Sequence, residues 1–125
     1  MGRVLLAGLP DDDLEQFLEG APLRRFTDQT ITDPSELRAA VIEARTQGWA
    51  LVDQELELGL RSVAAPVTRA PCGTIAAINV SAAAQRVSID EFRERFLPAL
   101  LETAAAISVA AGHARPGQWL GVEGR

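Results

Sequence analysis

The sequence predicts an α+β domain, a mostly antiparallel sheet with helices packed on it. Three observations carry this. Leu60–Val67 and Thr74–Ser81 are short runs rich in β-branched and small apolar residues, and each reads as a strand. The link Thr68-Arg69-Ala70-Pro71-Cys72-Gly73 contains Pro and Gly, so the two runs read as a hairpin. Asp33-Pro34-Ser35-Glu36 and Ser88-Ile89-Asp90-Glu91 are capping boxes, each opening a stretch with helical apolar spacing. A hairpin at the centre makes the sheet antiparallel, and the helices must bury a face against it.

Taken in order, Arg3 to Leu9 is apolar and reads as the tail of a helix, ended by Gly8 and Pro10. Its abrupt start at residue 1 suggests an absent upstream piece. Asp11-Asp12-Asp13 favours a helix N-terminus through the macrodipole, a simpler role than a cation site, which needs several converging ligands. Leu14, Phe17, Leu18 and Ala21 follow at helical spacing, with Gly20 as the expected cap. Leu23 to Ile31 reads as irregular or extended. Asp33 and Pro34 then start a helix that buries Leu37, Val41 and Ala44, with Ala40 beside them, and stops at Gly48. Trp49–Asp53 is a further strand, and Asp53–Gly59 an acidic connector. The last helix buries Phe92, Phe96, Leu100, Ala104 and Ile107. Pro98 predicts a kink near Leu97, and Gly112 an end. Residues 112–125 read as a Gly-rich flexible tail in which Trp119 is out of place and suited to docking on a partner chain.

Composition narrows the function. At 125 residues the chain is a single domain, and 47% hydrophobic with 23% charged residues is ordinary for a globular protein. No unbroken apolar run reaches the roughly 20 residues of a membrane span, and the start lacks a secretory pattern. Net charge is −5 with a pI near 4.8, whereas nucleic-acid binding needs a basic footprint. One cysteine, Cys72, cannot form an internal disulfide, which fits a reducing, cytoplasmic compartment. With His113 as the only histidine there is no zinc set, and no metal or cofactor is expected. Cys72 reads as an incidental thiol, His113 as solvated, and Trp49, Phe92 and Phe96 as core.

Strand alternation brings the few polar groups of the hairpin together. Leu60, Ser62 and Ala64 share one face, as do Ile75, Ala77, Asn79 and Ser81. Pairing Val67 with Thr74 would set Ser62 across from Asn79 and Leu60 across from Ser81. Three small polar side chains then meet on an otherwise apolar face, and they need partners in protein, water or a ligand. This cluster is the expected floor of a ligand pocket. Arg61 falls on the opposite face, where Glu55 or Glu57 would pair with it.

Gly48-Trp49-Ala50, the run Asp53 to Val67, and Ala76-Ala77-Ile78-Asn79-Val80-Ser81 resemble the effector-binding domain of the IclR family of bacterial transcription regulators. Gly2-Arg3-Val4-Leu5-Leu6-Ala7, Thr30-Ile31-Thr32-Asp33 and Phe96-Leu97-Pro98-Ala99-Leu100 resemble further family segments in the same order. The resemblance covers residues 1–111. Its wording is closest to regulators of aromatic-acid catabolism, the protocatechuate, 4-hydroxybenzoate and β-ketoadipate group. It implies a GAF-like (profilin-like) sheet flanked by helices and lacking the family's N-terminal strands. It also implies a pocket for a small carboxylate or aromatic-acid effector, and a homodimer or homotetramer. DNA contact would come only through an upstream winged helix-turn-helix, which these residues do not include.

Pocket positions carry over one at a time. Met1 and Gly2 match a helix start that faces the effector carboxylate. Val52 matches a position that is acidic in glyoxylate- and pyruvate-responsive relatives, which speaks against those ligands. Leu60 matches an apolar wall, Ser62 a position that can be Cys, and Asn79 and Ser81 two serines. The resemblance therefore implies an organic-acid sensor. An oligomerisation module is the alternative, since missing strands leave sheet edges for another chain. No catalytic residue is expected, because Ser62 has no histidine to pair with.

Overall fold

The computed structural model describes residues 1–113. Helices α1 (Gly2–Ala7), α2 (Asp11–Gly20) and α3 (Pro34–Gln47) precede strands β1 (Ala50–Asp53), β2 (Leu60–Arg69) and β3 (Gly73–Ala83). A short helix α4 (Ile89–Glu91) runs through a π-helical turn (Phe92–Phe96) into α5 (Leu97–His113). The sheet is antiparallel in the order β1-β2-β3. The α+β expectation holds, and the N-cap half of each capping box forms, while among the described residues neither Glu36 nor Glu91 returns a side-chain bond to the cap N–H. Asp33 accepts from the Glu36 N–H at 3.3 Å, and Ser88 from the Glu91 N–H at 3.1 Å. Gly48 closes α3 at φ 85°, the left-handed conformation that glycine adopts without a Cβ penalty. Residues 21–33 form turns and irregular backbone.

Alternation along the strands gives the sheet two faces. One carries Leu51, Val63, Ala65, Ile78, Val80 and Ala82, and packs on Phe92, Leu97, Leu100 and Ala104. The other carries Ala50, Ala64 and Ala77 under Val4 and Ala7 of α1 and Ala44 of α3. Leu14 and Leu18 of α2 pack on Val41 in a third cluster.

Several details differ from the sequence reading, each for a local reason. Phe17 is 45% exposed, because the i, i+4 pair Leu14 and Leu18 supplies the whole buried stripe of α2. Gly20 is the last helical residue and Ala21 the cap. Gly112 lies inside α5, which runs to His113, and the rest of the expected 112–125 tail, Trp119 included, lies outside the described residues. At the position where a kink is expected, Pro98 is preceded by a π turn. Its missing N–H leaves the Glu94 carbonyl without its usual donor, and the Leu97 N–H reaches back five residues to Phe92 O. The extra residue shifts the stripe, so Phe92 and Leu97 are buried while Phe96 and Ile107 are half-buried. By length and composition the helical stretch Ile89–His113, 25 residues, would reach across a membrane. Its burial of Phe92, Leu97, Leu100, Ala104 and Ala111 accounts for one apolar face without a bilayer.

The sheet edge past β1 is blunted. Pro66 has no N–H to expose there, and the Thr68 N–H donates to Ser108 Oγ at 3.0 Å. At the other side α1 comes close to β3. A Cβ on Gly8 would lie 2.5 Å from Thr74 Cβ. Gly8→Ala is therefore expected to destabilise the domain by about 1–3 kcal/mol, read as a lowered urea midpoint with unchanged slope. Thr74→Gly in the same chain is expected to restore part of the loss. The Arg38 Nε–H bonds Glu15 Oε1 at 2.7 Å on the exposed outer side of α3, and this pair holds the Glu15 carboxyl below its usual range.

Candidate functional site

The register of the hairpin decides which polar groups meet. Ser62 lies opposite Ser81 on one side and Val52 on the other. Asn79 lies opposite Ala64, Leu60 opposite Ala83, and Val67 opposite Ala76. The expected pairing of Val67 with Thr74 is thus displaced by two residues. The strands run further into the loop, to Arg69 and Gly73, and a bulge beside Val67 leaves Ile75 unpaired and 43% exposed. Two is an even step, so the side chains from Leu60 to Val67 and from Ala76 to Ser81 keep their predicted faces, whereas past the bulge Thr74 pairs with Thr68 and turns to the face that Gly8 covers. Val52, Leu60, Ser62, Asn79 and Ser81 do share one face.

That face is graded along the strands. At one end Ala50, Ala64 and Ala77 are covered by Val4 and Ala7. Gly8 closes this end against Thr74. From there α1 runs back toward the Val52–Ser62–Ser81 row, and its Arg3 reaches Glu55, two residues beyond β1, at 2.6 Å. The start of α1, Met1 and Gly2, therefore points to the end where the polar side chains sit. Met1 is 49% exposed, and partial burial and the neighbouring Arg3 charge lower the pKa of its amine. Val52, Leu60 and Ser62 are half-buried, and Asn79 and Ser81 are exposed. Asn79 donates to Ser81 Oγ at 3.2 Å. Among the described residues, Ser62 Oγ has no hydrogen-bond partner.

The backbone pattern adds a second property. The Gln54 N–H donates to Leu60 O, which makes that pair hydrogen-bonded. By alternation Val52 with Ser62 is hydrogen-bonded too, so Arg61, Val63 and Ala65 turn their main-chain groups toward β3. Their partners Ala82, Val80 and Ile78 turn inward. Asn79 and Ser81 consequently aim their N–H and C=O groups at the free edge of β3. Among the described residues, the two that carry the exposed polar side chains also offer an unpaired strand edge.

Arg61 stays on the far face, as alternation requires, but its partner is Asp53 at 2.8 Å and not Glu55 or Glu57. Asp53 lies directly opposite it on β1. Its guanidinium also donates to Val87 O at 2.6 Å. The face that carries Ser62 therefore has no cation from the sheet, and an acid lying there would be met by hydroxyl, amide and backbone N–H donors. Among the described residues no three His, Cys, Asp or Glu side chains converge as a metal set would.

Residues 1–109 match the family described as the C-terminal part of the bacterial transcriptional regulator IclR. This chain belongs to the IclR family. It is similar to the Pca regulon regulatory protein of Pseudomonas putida, 48% identical over 101 residues that cover 81% of this chain and 35% of that protein. The chain thus spans about a third of that relative's length, and it corresponds to the C-terminal domain. Its fold is similar to the C-terminal domain of E. coli KdgR, with a TM-score of 0.82, 34% identity, and 90% and 68% of the two chains covered. It is also similar to the inducer-binding domain of the PobR transcription factor from Acinetobacter, solved as a double mutant in complex with 3-hydroxybenzoic acid. There the TM-score is 0.81 at 33% identity, over 86% of this chain and 61% of the other. The relatives are transcriptional regulators and not enzymes.

Proposed function

We propose that this IclR-family domain senses a small organic acid of the aromatic-catabolism class. The observation that supports it most is the polar row itself. Ser62, Asn79 and Ser81 lie together on the face next to an alanine floor, and Ser62 is a half-buried residue whose Oγ has no protein partner among the described residues. Val52 beside Ser62 replaces charge with an apolar wall, which favours a ring or an aliphatic stem over glyoxylate or pyruvate. Met1 and Gly2 at the start of α1, and Leu60, complete the proposed contacts. The complex of the PobR domain with a hydroxybenzoate is consistent with this class.

In the parent regulator, a cytoplasmic homodimer or homotetramer, the acid would shift operator affinity by binding two arrangements unequally. DNA contact would lie in a part outside this chain, and no cofactor, metal or membrane takes part. The free edge of β3 also favours a role in assembly, since an added strand would pair with Asn79 and Ser81 and wall the face.

The test is a thermal-shift series with 3-hydroxybenzoate, protocatechuate and β-ketoadipate. At a hundredfold excess over Kd, binding to the folded state alone stabilises by about 2.7 kcal/mol, so Tm is expected to rise by several degrees with one of these acids and not with glyoxylate. No rise with any acid, in this chain or in the intact regulator, would defeat the reading. Light scattering checks the assembly: a monomer at all concentrations would remove the second role.

A further inference from the structure

We propose that Arg3 and Glu55, fastened by Thr27 and Thr30, form a latch that positions α1 over the ligand face and thereby sets effector affinity. This rests on the effector-binding reading above, but its first readout does not. The Arg3–Glu55 pair joins residues 52 apart in sequence and is largely buried, with side-chain exposures of 14% and 17%. The ion pairs of Arg38, Arg45 and Arg95 all have more exposed side chains, so this one is the least screened of these four helix-borne pairs.

The segment that holds Glu55 is itself tied down. Gln54 adopts φ 59°, a left-handed conformation uncommon outside glycine, and three bonds hold it there. Its N–H donates to Leu60 O at 2.9 Å, its Oε1 accepts from the Gly59 N–H at 3.0 Å, and its carbonyl accepts from Thr27 Oγ1 at 2.6 Å. The next carbonyl, of Glu55, accepts from Thr30 Oγ1. Thr30 Oγ1 also accepts from the N–H groups of Phe26 and Thr27, at 3.1 and 2.9 Å, so the 26–30 turn and the 54–55 segment are one unit. Thr27 is the buried polar residue at its centre. Val52 of the polar row lies three residues before Glu55 on the same strand and loop. Arg3 is one turn or less from Met1 and Gly2. The ion pair therefore connects the two sides of the proposed ligand site through one rigid segment.

Neutralising either Arg3 or Glu55 leaves the other as a poorly solvated, unpaired charge, which the domain relieves by letting α1 move outward. Hydrogen exchange on the 125-residue chain reads this without a ligand. In Glu55→Gln and Arg3→Gln, the amides of Leu5 to Gly8 are expected to exchange about tenfold faster, while those of Val63 and Val67 keep their rates. The charge swap Arg3→Glu with Glu55→Arg is expected to recover most of the protection. Titration with 3-hydroxybenzoate, at a temperature where every variant is folded, is expected to show affinity about tenfold lower in the single variants. Arg38→Ala breaks a pair away from the face and is expected to leave affinity unchanged. Unchanged exchange at Leu5 to Gly8 would overturn the latch, as would faster exchange with full affinity. If the wild-type chain fails to bind any of the acids tested, the effector reading fails, and the exchange rates alone still decide whether Arg3 and Glu55 hold α1.

Discussion

Phe92→Ala is expected to destabilise the domain by about 3–5 kcal/mol, a large part of the total stability of a chain this size. Phe92 is 0% exposed and sits between the sheet and α5, with Val63, Ala65, Leu97, Leu100 and Ala104 around it. Its ring centroid is 5.3 Å from that of Phe96, at an interplanar angle of 44°, an edge-inclined contact that adds to the area term. The backbone makes collapse of the cavity difficult. Phe92 O accepts the Leu97 N–H across the π turn, so its position is fixed by the same bond that accommodates Pro98. Urea unfolding followed by circular dichroism measures the loss. Phe17→Ala is the control: at 45% exposure it is expected to cost under about 1 kcal/mol. A loss at Phe92 no larger than at Phe17 would show that this face of the sheet is not the main core.

The order of elements was legible in the sequence because its punctuation is local. Asp33, Pro34, Gly48 and Ser88 act through groups a few residues away and mark the helix ends as read, and the Pro-Gly link does turn the chain between two strands, though the strands run into it. The hairpin register was not legible. It depends on where β2 and β3 stop and on the Ile75 bulge, both set by how the sheet meets α1 and α5. An even displacement keeps the faces up to the bulge, and past it Thr74 changes face. The phase of the last helix was missed for a related reason. Pro98 announces a lost hydrogen bond, yet whether the helix takes in a π turn depends on whether Phe96 or Leu97 fits the sheet better. The Arg3–Glu55 pair spans 52 residues and left no local signal. Arg61 was assigned to the correct face and the wrong carboxylate, since Asp53 becomes its neighbour only once β1 pairs with β2 in this register.

Ser62→Ala is expected to separate ligand binding from stability. Most polar side chains near this face already have partners: Asn79 bonds Ser81, Arg3 bonds Glu55, and Thr27 and Thr30 bond the 54–55 carbonyls. Removing any of them would disturb the protein as well as the ligand. Ser62 Oγ has no such bond among the described residues, and the side chain is half-buried beside Val52 and Ser81. Deleting this hydroxyl leaves no protein group unsatisfied, so unfolding free energy is expected to change by less than about 0.5 kcal/mol. A ligand carboxylate or ring hydroxyl bonded there would lose one contact, worth about 1.4 kcal/mol or a tenfold rise in Kd. Calorimetric titration of the acid that gives the largest thermal shift, with wild type and variant side by side, measures the change. Adding Asn79→Ala is expected to raise Kd further but by less than a second independent tenfold factor, since Ser81 lies opposite Ser62 and also accepts from Asn79. Equal affinity in wild type and Ser62→Ala would move the effector away from the Val52–Ser62–Ser81 row, to the part of the face that Val4 and Ala7 cover.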